Sequence, residues 1–100
     1  MTRLIGFAGP ARLELLDAIS FYEAQQAGLG LRFEAQVDAT LRRIQSDPTI
    51  FRFVTATVQK ARIHKFPHSV YFVALPDIIG VLAVYDGRRD PDALRKRLTR

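Results

Sequence analysis

One hundred residues without a single cysteine and with a formal charge of +5 make one domain that buries only about two thirds of its extended-chain surface, which leaves little room for a deep pocket. Without cysteine there is no disulfide framework, no thiolate nucleophile and no thiolate zinc site. No apolar run reaches the ~20 residues that span a bilayer, and the first residues lack the charged-then-apolar layout of a signal peptide, so the expectation is a soluble cytoplasmic protein with no membrane partner. The charge is uneven: residues 1–50 carry 5 basic and 6 acidic side chains (net −1), residues 51–100 carry 10 and 4 (net +6). A positive field confined to the second half draws in nucleic acid or an acidic protein.

In chain order, Leu4-Ile5-Gly6-Phe7 reads as an edge strand weakened by its internal glycine. A helix is predicted from Pro10, since proline suits a first helical turn; Leu13, Leu16, Ile19 and Tyr22/Glu23 fall at three-residue steps, with Leu15 and Ala18 widening the stripe. Gly28-Leu29-Gly30 should end it, two glycines able to take the positive φ angles of a helix C-cap and turn. A second helix is predicted over residues 31–46. Phe33, Val37, Leu41 and Ile44 share its inner face, and Asp38 can pair with Arg42 on the outer one. Pro48 disfavours helical backbone at Asp47 and stops it. Two helices joined by so short a turn form a hairpin that needs a sheet to lie on.

Residues 49–57 have neither period and read as a loop or a short strand. Residues 60–66, 70–75 and 78–85 then read as three strands separated by Pro67-His68-Ser69 and Pro76-Asp77, most simply an antiparallel meander. The third is apolar on both faces, which marks a central strand covered twice. The hairpin supplies one cover; a tail, a partner chain or a second copy must supply the other. The fold class is thus α+β.

Taken together, several pieces resemble a known family. They are Ala11 with Leu15 and Ala18, Phe21-Tyr22-Glu23, Gly28-Leu29-Gly30 with Phe33, Val37 through Leu41 and Ile44 to Pro48, the run from Arg62 through His64-Lys65-Phe66-Pro67 to Phe72, Ile79 to Val84, and Gly87-Arg88-Arg89-Asp90-Pro91. In this order, over residues 10–97, the set resembles the ParE/RelE superfamily, the toxins of bacterial type II toxin–antitoxin systems, and more closely its ParE-like branch. The resemblance implies a helical hairpin packed on a small twisted antiparallel sheet. It implies a cognate antitoxin whose C-terminal segment wraps the toxin in a hetero-oligomer, DNA gyrase as the inhibited target, and no cofactor or metal. Two positions depart from the family pattern: the residue before Gly87 is commonly histidine and the one before Ser69 commonly tyrosine, where this chain has Asp86 and His68.

The RelE-like branch cuts mRNA on the ribosome, and this is the alternative, with ribosome and mRNA as partners. Metal-free RNA cleavage needs a base, a proton donor and cations against the phosphorane. The candidates are Arg62, His64, Lys65, Tyr85 and Arg88, with Arg89 beside them. On an unbroken strand Arg62 and His64 share one face and Lys65 takes the other, which argues against a convergent catalytic set. A lone strand histidine reads as packing before general base, and His64 with His68 lacks a third metal ligand. A third reading is a degenerate, non-toxic member that still binds an antitoxin. The basic tail, Arg88, Arg89, Arg95, Lys96, Arg97 and Arg100, has the best claim to function: residues 92–98 suit a helical turn or two with Leu94 and Leu98 inward and Arg95, Lys96 and Arg97 fanned outward. For target or antitoxin binding the expected residues are Arg62, Lys65, Arg88, Arg89, Arg95 and Arg97.

Overall fold

The computed structural model describes residues 2–99. Arg100, the last cation of the expected tail, lies outside them. Along the chain stand β1 (Leu4–Phe7), α1 (Gly9–Gln25), α2 (Leu29–Ser46), a 3-10 turn (Pro48–Ile50), β2 (Gln59–Arg62), β3 (His68–Ala74), β4 (Ile78–Asp86) and α3 (Pro91–Leu98). The strands form one sheet in the order β1-β4-β3-β2. β2, β3 and β4 are the expected antiparallel meander, and β1 joins it in parallel along the outer edge of β4. That pairing becomes available because α1 and α2 carry the chain across the sheet between β1 and β2, whereas strands linked by tight turns must run antiparallel.

The hairpin turn is held by side-chain chemistry that its glycines make possible. Gly28 takes a φ of +87°, and the Glu23 carboxylate accepts from the Gly28 and Gly30 N–H groups at 2.8 and 3.0 Å. A negative group thereby meets the free N–H groups at the start of α2. At Gly30 the helices touch: a Cβ there would stand 2.6 Å from the Ile19 carbonyl oxygen. Phe33, Val37, Leu41 and Ile44 are buried against the sheet, as their spacing predicts.

The buried face of α1 is only partly the predicted one. Leu13 and Leu16 are 63% and 51% exposed, while Ala11, Ala18 and Tyr22 face the core with Leu15 and Ile19 partly buried beside them. Steps of seven and four residues track the helix axis better than repeated steps of three, and two alanines let α1 lie close on β4. One core cluster fills the space between hairpin and sheet, around Phe33, Ile44, Val70, Phe72, Ile79 and Val81. The other face carries a second cluster of Val58, Tyr71, Ala83, Tyr85 and Leu94, with Leu98 packed against it. The second cover is thus supplied in part by the chain's own tail, folded as α3.

Residues 49–57 resolve into the 3-10 turn and a single antiparallel bridge between Phe53 and Gln59. The Gln59 side-chain amide ties this segment down by donating to the Pro48 and Phe51 carbonyls at 2.6 and 3.0 Å. Among the described residues no helix is long and apolar enough to cross a membrane.

Candidate functional site: a cleft where an edge strand runs out

β1 stops at Phe7, opposite Val81, but β4 continues to Asp86. Past Val81 the outer edge of β4 has no strand beside it, and its polar backbone needs other partners. Two side chains provide them. Glu14 of α1 accepts from the Val84 N–H at 3.1 Å, and Arg97 of α3 donates to the Leu82 carbonyl at 2.8 Å. The two close the frame as an ion pair of 2.6 Å with both side chains largely sheltered. The register of β3 against β4 slips at this place, with Tyr71 opposite Ala83 and Phe72 opposite Val81. A bulge of this kind leaves one residue unpaired, here Leu82.

Beside this frame, between α1 and the end of β4, lies an open cleft of ≈ 290 Å³. Its floor holds Ala18, Tyr22, His68 and Val84, and its rim carries Asp17, Phe21, Arg88 and Arg89. His68 is 8% exposed and packs its ring against Phe33 and Tyr22, at centroid distances of 5.0 and 5.8 Å. The Tyr22 hydroxyl is 3.4 Å from His68 Nδ1. Burial pushes the imidazole below its ordinary value, and the Asp86 carboxylate partly offsets it. Burial likewise pushes the Tyr22 phenol up. Asp86, directly across the sheet from His68, grips Arg88 with both oxygens at 3.1 and 2.8 Å and also accepts its backbone N–H at 2.8 Å. Those bonds hold the Asp86 carboxyl down at about 2.

The far face of the sheet presents a different surface. Lys60 and Arg62 alternate with the buried Gln59 and Ala61 along β2 and point away from the α1–α2 hairpin. The Lys60 ammonium lies over the Tyr71 ring, 5.8 Å from its centroid, and burial together with Arg52 and Arg62 pushes it below the usual lysine range. Arg52, Lys60 and Tyr71 line a shallow groove of ≈ 260 Å³ with Leu94, Arg95 and Leu98 of α3.

The structure does not bring the expected catalytic residues together. β2 ends at Arg62, so His64 and Lys65 belong to the exposed turn that follows, Lys65 with a φ of +68°. The alternation assumed for them on a strand to residue 66 therefore does not hold. Tyr85 is buried, and its hydroxyl donates to the Asp90 carbonyl at 2.6 Å. Arg88 is gripped by Asp86 beside the hairpin, on the opposite face of the sheet from the Lys60 groove. Among the tail residues, Arg89 and Lys96 are exposed, Arg95 pairs with Asp92 at 2.7 Å, and Arg97 does not fan outward but turns in to Glu14. Sequence reasoning missed Glu14, Arg52, Lys60, Tyr22 and the pairing of His68 with Asp86. Only the last left a trace, as the two departures from the family pattern.

No protein-family model and no curated protein matches this chain. Among solved structures, a chain of the "Chromosomal ParDE TA system from P. aeruginosa" superposes with a TM-score of 0.70 over 85% of this chain and 96% of that one. The fold is ParE-like. At 13% identity the likeness lies in the path of the backbone. The ParE-like hairpin, meander and tail helix thus form from a largely different set of side chains.

Proposed function

We propose that this chain is the toxin of a type II toxin–antitoxin pair, one that docks on DNA gyrase and stalls it on DNA, and that a cognate antitoxin silences it by covering it. The observation that carries the reading is the ParE-like fold combined with dispersal of the groups a nuclease would need. Tyr85 and Arg88 are committed to bonds within the chain, and His64 and Lys65 sit in a turn. The outer face of α1 supports a polypeptide partner: Leu13, Leu16 and Phe21 are all more than half exposed, an arrangement a solitary surface helix rarely keeps. Toxin added to purified gyrase should abolish supercoiling; activity that persists at excess toxin removes the proposal.

One observation favours the ribonuclease alternative. The groove lined by Arg52, Lys60 and Arg95, with Arg62 close to Lys60 on β2, gathers cations without a carboxylate in its lining, and such a surface suits a phosphate backbone. Programmed ribosomes incubated with the chain would then yield cut message, and Lys60→Ala or Arg62→Ala would leave it whole. Intact message with the unaltered chain disposes of that alternative.

A further inference from the structure

Two ion pairs border the cleft, Asp86 with Arg88 and Glu14 with Arg97, and Asp17 and Arg89 stand on its rim with opposite charges. One group among its lining residues changes charge within the physiological range, and it is the buried His68. We propose that His68, Asp86 and Arg88 form an acid-operated relay that decides whether the Arg88 guanidinium is clamped to the sheet or released at the mouth of the cleft.

The geometry supplies each step. His68 and Asp86 are directly opposed across β3 and β4, so their Cβ atoms stand about 5 Å apart and their side chains share one face. With neutral imidazole, Nδ1 shares a 3.4 Å contact with the Tyr22 hydroxyl, and both Asp86 oxygens remain free to grip Arg88. A proton on His68 leaves both ring nitrogens as donors, so that the Tyr22 hydroxyl can only accept, and places a cation facing the Asp86 carboxylate. Asp86 stays ionised throughout, because Arg88 keeps its carboxyl far below the range in which His68 titrates. One carboxylate then serves two cations. The exposed Arg88 is the one that water can solvate, and it gives up an arm.

The other charged groups around His68 do not override this exchange. From α1, Glu14 favours the protonated form but is spent on Arg97, and Tyr22 is neutral; from the turn after β4, Arg88 and Arg89 oppose it. α2 contributes only the Phe33 ring. The relay thus works against two arginines, and freeing Arg88 to swing outward relieves one of them. It does not depend on which partner the chain binds, and it predicts that Arg88 becomes available to an anionic partner group only in acid.

NMR titration of the isolated chain between about pH 8 and about pH 5 reads both ends of the relay. The His68 imidazole should titrate below the ordinary histidine value of about 6.5, and the Arg88 Nε–H resonance should shift with the His68 midpoint. Arg88→Gln should raise that midpoint, since Asp86 then serves His68 alone. Asp86→Asn should lower it and leave the Arg88 resonance independent of pH. The relay is overturned if Arg88 does not respond, if the variants move the midpoint in the other sense or not at all, or if the chain unfolds before Arg88 responds.

Discussion

Removing Arg97 should destabilise the chain more than removing any other arginine. Its guanidinium reaches the Leu82 carbonyl at 2.8 Å and Glu14 at 2.6 Å, so Arg97→Ala strands a backbone acceptor at the bulge and breaks an ion pair. Leaving such an acceptor without a partner costs about 1–3 kcal/mol, and the pair adds on the order of 1 kcal/mol because both groups are only partly exposed. A loss of about 2–4 kcal/mol corresponds to a fall in Tm of roughly 8–30 °C for a domain of this size. Thermal unfolding followed by circular dichroism measures it, with Arg95→Ala as the control. Arg95 contacts only an exposed Asp92, and its loss should cost less than about 1 kcal/mol. A double-mutant cycle of Glu14→Gln with Arg97→Met should show coupling, because the two groups close a single frame. Equal melting of Arg97→Ala and Arg95→Ala would refute the claim that the pair replaces a missing strand.

Three further outcomes follow from particular contacts. Gly30→Ala, whose new Cβ meets the Ile19 carbonyl oxygen at 2.6 Å, should force the helices apart and cost about 1–3 kcal/mol; an unchanged melting curve would contradict the close approach. Stability should fall with acid in two stages. His68, depressed in the fold, binds its proton more readily when unfolded, so its contribution is lost as pH drops below the unfolded value of about 6.5. Asp86, held at about 2 against 3.8, loses its contribution between those two values. Urea unfolding at a series of pH values checks both, and a flat profile between about pH 7 and pH 5 would count against the first stage. Replacing Arg88 and Arg89 with alanine should change the salt dependence of antitoxin binding more than the affinity at high salt, as exposed charges steer association; equal loss at every salt concentration would show that they anchor the complex instead.

Much of the scaffold was legible because it rests on local rules. The 33-37-41-44 stripe, the proline after Asp47 and the strand breakers each act within a few residues, and the structure places α2, β3 and β4 within two residues of the readings. The helical turn or two expected over residues 92–98 is α3, whose start is capped by the Asp90 side chain accepting from the Asp92 N–H at 2.9 Å. On α1 the stripe was centred on Leu13 and Leu16, which are exposed, in place of Ala11, because alanine contributes little to an apolar stripe yet permits close packing. The site was illegible for a different reason. Glu14 and Arg97 are 83 residues apart, and they meet only because β1 is shorter than the strand it accompanies. His68 and Asp86 face each other through a register set by a bulge, which no local spacing reveals.

On the far face of the sheet, the tail is the one of the three expected covers that the structure shows. Leu94 and Leu98 of α3 cover one part of it, and the cations of β2 border the rest. The largest exposed apolar side chains lie elsewhere, on α1 and at Leu4, Leu31, Ile50, Phe53 and Leu75. If the proposed function holds, a wrapping antitoxin would find separate apolar footholds on the hairpin and at the strand ends, with the basic groove between them suited to acidic side chains.

The most direct test of action by docking is the stoichiometry of gyrase inhibition. Titrated against a fixed amount of gyrase well above the dissociation constant, supercoiling should decline in proportion to added toxin and reach its floor at a fixed ratio near equivalence. Complete loss at a small fraction of an equivalent, deepening with time, would mean that the chain turns over, and it would contradict the account.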